Sequence, residues 1–420
     1  MKITSVHARQ IIDSRGQPTV EAEVFCEGGW GRAAVPSGAS TGSHEAHELR
    51  DNETAFAGKG VLQAVKHINN EIAETICNLP ADDQFKLDET LCELDGTTNK
   101  SRLGANAILA VSLAAAHAAS NVRALPLFRH LNDIAGNPQP TLPIPLCNVL
   151  NGGQHAANAS DFQEYMLVPI GATSYAHGIQ MVAEIFHTLK HQLQVRGLAT
   201  TLGDEGGFAP PVSSNTETLD LLIEAIIASN YKPGKDVAIA LDVAAAEFFH
   251  NNSYRLDTEK RTISAAKMID YLAAMTEQYP IISIEDGLGE DSWSDWQSLT
   301  KQLPNIQLVG DDLLVTNQKR LEQAITLKAG NAILIKPNQI GTLTETIKTV
   351  KTAHDAGWHT IISHRSGETE DVTITHLAVG VGASQIKTGS VARGERTAKH
   401  NELLRIEDTN RNLNFFNRWQ

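Results

Sequence analysis

The chain has 420 residues, 41% of them hydrophobic and 20% charged, a globular balance long enough for a substantial core and for more than one ordinary domain. A net charge of −14 argues against direct nucleic-acid binding, which needs a basic footprint, and obliges any anionic substrate to find local cations. Cys26, Cys77, Cys92 and Cys147 have no CxxC or metal-ligand spacing and read as reduced thiols. The opening MKITSVHARQIIDSR lacks a signal-like apolar stretch, and no run approaches the ~20 apolar residues of a membrane helix. Cytoplasmic residence without membrane insertion is therefore expected.

Residues 3–25 alternate apolar and polar around Asp13-Ser14-Arg15-Gly16-Gln17-Pro18, which predicts a strand, a turn and a second strand. From Ala57 to Ala119 the period is mostly helical and ends in an Ala-rich helix after Gly104. Pro138, Pro140, Pro143 and Pro145 then crowd together, which excludes helix and suits an extended linker. A boundary near 135–142 divides a smaller N-terminal domain, 1–135, from a larger one, 136–420.

In the larger domain six polar residues each follow a short Val/Ile-rich run: Asp242, Glu285, Asp311, Lys336, His364 and Lys387. The last five lie 26, 25, 28 and 23 residues apart, the length of one strand plus one helix. Such runs read as buried parallel strands, and strand–helix repeats that close on themselves make an α/β barrel with its chemistry at the C-terminal strand ends. The 43-residue gap from Asp242 to Glu285 holds NNSYRLD, a polar turn and short strand resembling an insertion.

Three carboxylates in register, Asp242, Glu285 and Asp311, offer hard oxygen donors suited to Mg²⁺. Each taken singly could equally cap the following helix. Lys336 and Lys387 close apolar strands, where desolvation and a nearby cation depress a lysine pKa and make it a base. Each could instead be a surface lysine or a structural partner of the carboxylates. His364-Arg365-Ser366-Gly367 offers a guanidinium fork and a hydroxyl to a phosphate. Gly203-Asp204-Glu205-Gly206-Gly207 presents Glu205 as a candidate general acid, or is an ordinary acidic turn. Ser37–Gly42 and 151–155 are polar glycine loops, either lids over the site or plain turns. A base backed by Mg²⁺, with an acid facing it, suits proton removal beside a carboxylate followed by loss of a β-leaving group; this is a known pattern for one enzyme superfamily.

The segments SGASTG, LGANAILAVSLA, QEYM, GDEGGFAP, SIEDG, NQIGTLTET, SHRSGETED and QIKTG resemble the enolases over nearly the whole chain, from Ile11 to about Glu407. That resemblance implies an N-terminal α+β domain and an atypical (β/α)8 barrel beginning β-β-α-α. It implies a lyase acting in glycolysis, dehydrating 2-phosphoglycerate to phosphoenolpyruvate. Carried over by position, Lys336 is the base and Glu205 the acid, with Glu164 assisting and His155 and His364 in the catalytic set. Arg365, Ser366, Lys387, Gln163 and Ser40 would bind substrate. Asp242, Glu285 and Asp311 would hold a first Mg²⁺, and Ser40 would help hold a second that arrives with substrate. A homodimer is implied, with Glu21 and Arg405 pairing across its two-fold axis.

Departures from the usual family pattern stand at Gln17, Tyr165, Ala246, His400, Pro337 and Gly394, none of which removes a chemical group from the site. They keep open a phosphonate-pathway paralogue of the carboxyphosphonoenolpyruvate synthase type. A third reading is a binding role, as a cell-surface plasminogen receptor or an RNA-degradation scaffold. It is weakened by a terminal Gln420 where plasminogen binding uses lysine, and by the acidic charge.

Overall fold

The alternation near the N-terminus folds into an antiparallel sheet, β1 (Ile3–Ile12), β2 (Pro18–Cys26) and β3 (Gly29–Ala34), in a computed structural model that describes residues 1–39, 41–153 and 159–419. Asp13 builds the first turn, its Oδ1 accepting the backbone N–H groups of Arg15 and Gln17 at 2.8 Å each. The Ala-rich helix α1 (Ala105–Val122) lies across β2 and β3. A Cβ on Gly31 would stand 2.2 Å from the Ala118 nitrogen, so glycine facing alanine lets helix and sheet approach this closely. With a mean hydropathy of 1.3, α1 is long and apolar enough to cross a membrane, contrary to the sequence expectation. It is 83% buried inside the protein and serves as the core helix of its domain.

Eight strands close a barrel: β4 (Ile144–Asn151), β5 (Glu164–Val168), β6 (Ala238–Asp242), β7 (Ile281–Glu285), β8 (Gln307–Gly310), β9 (Ala332–Ile335), β10 (His359–Ser363) and β11 (Gln385–Lys387). Strand β5 runs antiparallel to both neighbours, and every other pair is parallel. Two helices, Tyr175–Val195 and Asn215–Ala228, separate β5 from β6, so the barrel opens β-β-α-α before regular units begin. All residues of β4, β5, β6 and β9 are buried, which is why these runs carry no alternation. Barrel helices start on side chains that accept backbone N–H groups: Ser174, Ser214, Ser264, Asn317 and Thr342.

The proline cluster is not all linker. Pro145 sits inside β4, in register with Ile386 of β11, where the ladder draws on the neighbouring Ile144 N–H, which donates to the Ser384 carbonyl at 3.2 Å. Residues Thr141–Leu142 do run extended, pairing with Asn414–Phe415 of the C-terminal tail. The NNSYRLD segment belongs to a separate three-stranded antiparallel sheet formed by Phe249–His250, Ser253–Leu256 and Arg261–Ser264.

Candidate active site

The six spaced residues arrive together. Asp242, Glu285 and Lys387 are the last residues of β6, β7 and β11, and Asp311, Lys336 and His364 directly follow β8, β9 and β10. Glu164 reaches the same mouth from the other direction: it is the first residue of the antiparallel β5, in register with Asp242 and Asn151. Gln163, Glu164, Glu205, Asp242, Lys336, Ser363, His364, Arg365, Ser366 and Lys387 line one small cavity.

Lysines and carboxylates are interleaved there. Lys387 Nζ lies 2.8 and 3.0 Å from the Glu285 oxygens, 2.9 Å from Asp242 Oδ2 and 3.2 Å from Glu164 Oε1. Lys336 Nζ takes Asp311 Oδ2 at 2.5 Å, and Gln339 Nε2 donates to Asp311 Oδ1 at 2.8 Å. Burial opposes both ammonium charges, yet the carboxylates outweigh it and raise both lysine pKa values. For both lysines this overturns the sequence expectation of a depressed pKa, because Asp311 touches Lys336 and Asp242, Glu164 and Glu285 surround Lys387. Pro337 fits the reading of an extended Lys336: φ is −124° there, and the proline opens the short helix Pro337–Ile340.

Burial, and then neighbouring carboxylates, push Glu164 and Glu285 well above the ordinary range, whereas Lys336 overcomes the effect of burial on Asp311 and pulls it below. Four carboxylates, Glu164, Asp242, Glu285 and Asp311, surround the two lysine ammoniums, and burial first, then like charge, raises two of them. The donor set therefore fits a divalent cation on Asp242, Glu285 and Asp311. A different grouping, Asp286, Asp311 and Asp312, brings three carboxylate oxygens within 4.8 Å of one another. Asp286 is engaged structurally, accepting the backbone N–H groups of Asp311 and Asp312 at 2.9 and 2.7 Å. Burial beside Asp311 lifts Asp312 to about 8.

The phosphate-binding candidates form a second layer. Arg365 is held in a two-pronged pair with Glu45, at 2.9 and 3.1 Å; burial opposes its charge, but Glu45 raises its pKa. Ser366 Oγ accepts the Ala39 N–H at 2.6 Å, and Ser37 and Gly367 exchange backbone hydrogen bonds, so residues 37–39 dock directly on the 364–367 loop. Glu205 Oε2 receives Asn148 Nδ2 at 3.2 Å and lies 3.3 Å from His364 Nε2. Gln163 Nε2 donates to Asp242 at 3.3 Å. Ser40 and His155 lie outside the described residues.

Glu45, Asn148, Gln339 and Arg396 belong to the site and escaped the sequence reading. Only Asn148 carried a signal, a polar residue in the middle of the apolar run IPLCNVL. The other three depend on contacts between distant segments. Glu21 is paired with Arg9 at 2.5 Å and Arg405 with Glu402 at 2.7 Å, both within the chain.

Residues 3–131 match the family model described as enolase, N-terminal domain, and residues 139–417 match that of the enolase C-terminal TIM barrel domain. With the eight-stranded barrel, the N-terminal sheet and the acidic, lysine-bearing mouth, these matches across nearly the whole length show that the chain belongs to the enolase family.

Proposed function

We propose that this chain is a phosphopyruvate hydratase, catalysing the Mg²⁺-dependent, reversible dehydration of 2-phosphoglycerate to phosphoenolpyruvate. The observation that carries the reading is the entry of Lys336 and Glu205 into one cavity from separated parts of the barrel. Lys336 follows β9, while the 203–207 loop bonds to β4 through Phe208, three strands away in one direction and five in the other. A base and an acid so placed can remove the C2 proton and protonate the departing C3 hydroxyl without competing for one position. The C–H electron pair becomes the new C=C bond, the C–O bond breaks, and water leaves.

Asp242, Glu285 and Asp311 would hold a divalent cation, which would supply positive charge for the electron-rich carboxylate and offset the Asp311 charge beside Lys336. Arg365 and Ser366 bind the phosphate, and Lys387 the carboxylate, which gives an anionic substrate its cations inside an acidic protein. Glu164, whose pKa is raised by burial and then by the neighbouring Glu205 carboxylate, stands where it can assist the acid. A second Mg²⁺ bound with substrate near Ser40, and a homodimer, complete the proposal. The deciding experiment measures phosphoenolpyruvate formed from 2-phosphoglycerate with Mg²⁺ and again with EDTA. Turnover in the first arm alone is expected; none in either arm from folded protein overturns the reading.

A further inference from the structure

Arg396 lies in the first turn of the helix Gly394–Thr409, behind the cavity wall, and its side chain is fully buried. One guanidinium nitrogen, Nη1, donates to His364 Nδ1 at 2.5 Å and to the Arg365 carbonyl at 2.6 Å. The other, Nη2, donates to the carbonyls of Asp204 at 3.0 Å and Ser366 at 2.6 Å. One side chain thus fastens the loop carrying Glu205 to the loop carrying Arg365 and Ser366. Room for it is made by Gly389: at φ +81°, a Cβ there would meet Arg396 Cδ at 2.9 Å and His364 Cε1 at 3.0 Å.

We infer that Arg396 is a positioning residue for the dehydration, fixing His364 as a neutral imidazole whose single proton sits on Nε2 and faces Glu205. A guanidinium has N–H donors and no acceptor, and it stays charged at every working pH. The Nδ1 that faces it must therefore present its lone pair. The remaining ring proton is then on Nε2, 3.3 Å from Glu205 Oε2, the same oxygen that receives Asn148 Nδ2 at 3.2 Å. The Asn148 hydrogen bond orients the Glu205 carboxyl, and His364 Nε2 stands beside the same oxygen as a close polar neighbour without a hydrogen bond of its own among the described residues. An imidazolium would set an N–H against the guanidinium, so His364 stays neutral with its N–H directed at Glu205. Burial, with Arg396 assisting and Glu205 opposing, also lowers its pKa to about 3. The role of Arg396 in catalysis rests on the reaction proposed above; the imidazole tautomer does not.

The test is a ¹⁵N NMR measurement on the metal-free, histidine-labelled protein, with His364→Gln to assign the resonance among the 16 histidines. Expected is an unprotonated Nδ1 and a protonated Nε2, unchanged from about pH 5 to 8 where an ordinary histidine titrates. A protonated Nδ1, or an imidazolium in that range, overturns the inference. Arg396→Met should lower kcat by about 10–100-fold, as loss of an orienting partner does, with KM changed far less. Arg396→Lys, which restores one donor, should recover part of it. Unaltered His364 resonances and kcat in folded Arg396→Met also overturn it, and if that variant does not fold, the wild-type tautomer decides alone. The tautomer is read without substrate, so failure of the proposed reaction and failure of this assignment register separately.

Discussion

Replacing Lys387 with methionine keeps the side chain's length and removes its charge. In the native cavity that ammonium is within 3.2 Å of three buried carboxylates, Glu164, Asp242 and Glu285, all of whose side chains are at most 5% exposed. Removing one partner of a buried pair strands the other charge and costs about 3–5 kcal/mol. Spread over an unfolding entropy of ~2.1 cal/mol/K per residue, that is a fall of about 3–6 °C in Tm for a chain of this length. The pH dependence has a definite sign. Burial and neighbouring carboxylates already raise Glu164 and Glu285 in the folded protein, and loss of Lys387 raises them further. A carboxyl whose folded pKa lies above its unfolded value loses stability as pH climbs from the unfolded value, about 4.3, toward the folded one. The deficit of Lys387→Met should thus be smallest in acid and grow toward neutral and alkaline pH. Scanning calorimetry in EDTA at several pH values measures it, and added Mg²⁺ should return part of the lost Tm. A variant as stable as wild type at about pH 8 in EDTA would refute the reasoning, since the buried carboxylates would then show no need of the Lys387 charge.

Lys336→Ala should abolish both turnover and exchange of the substrate C2 proton with solvent, a loss of at least 10²–10⁴-fold; exchange at the wild-type rate would assign the base elsewhere. Glu205→Gln should keep C2 exchange while dehydration stops, and equal loss of both steps in folded protein would break the division of labour. Arg365→Lys should raise KM for the phosphorylated substrate about tenfold or more, because an ammonium cannot reproduce the two-pronged contact; an unchanged KM would remove Arg365 from phosphate binding. In sedimentation the protein should run as a homodimer that Glu21→Ala shifts toward monomer. A wild-type monomer would end that proposal.

The spacing of Asp242, Glu285, Asp311, Lys336, His364 and Lys387 by itself determined a barrel and the mouth where its chemistry sits, because a buried parallel strand must be apolar until it emerges and a strand plus a helix has a nearly constant length. The same logic could not place Glu164. Its strand runs backwards, so its functional residue precedes the apolar run, and only the pairing with β4 and β6 reveals that. The N-terminal turn was equally legible, since Asp13 and Gly16 act on their immediate neighbours. Pro145 was misread because proline's local cost says nothing about which edge of a strand needs its N–H. Tertiary structure alone decided the protonation of Lys336, through a carboxylate 25 residues away in sequence and 2.5 Å away in space. It alone joined Glu45 to Arg365, and Arg396 to His364 and the Glu205 loop. Strand position follows from short-range patterns of burial, whereas pKa and hydrogen-bond direction follow from which charges the closed barrel brings within a few ångströms.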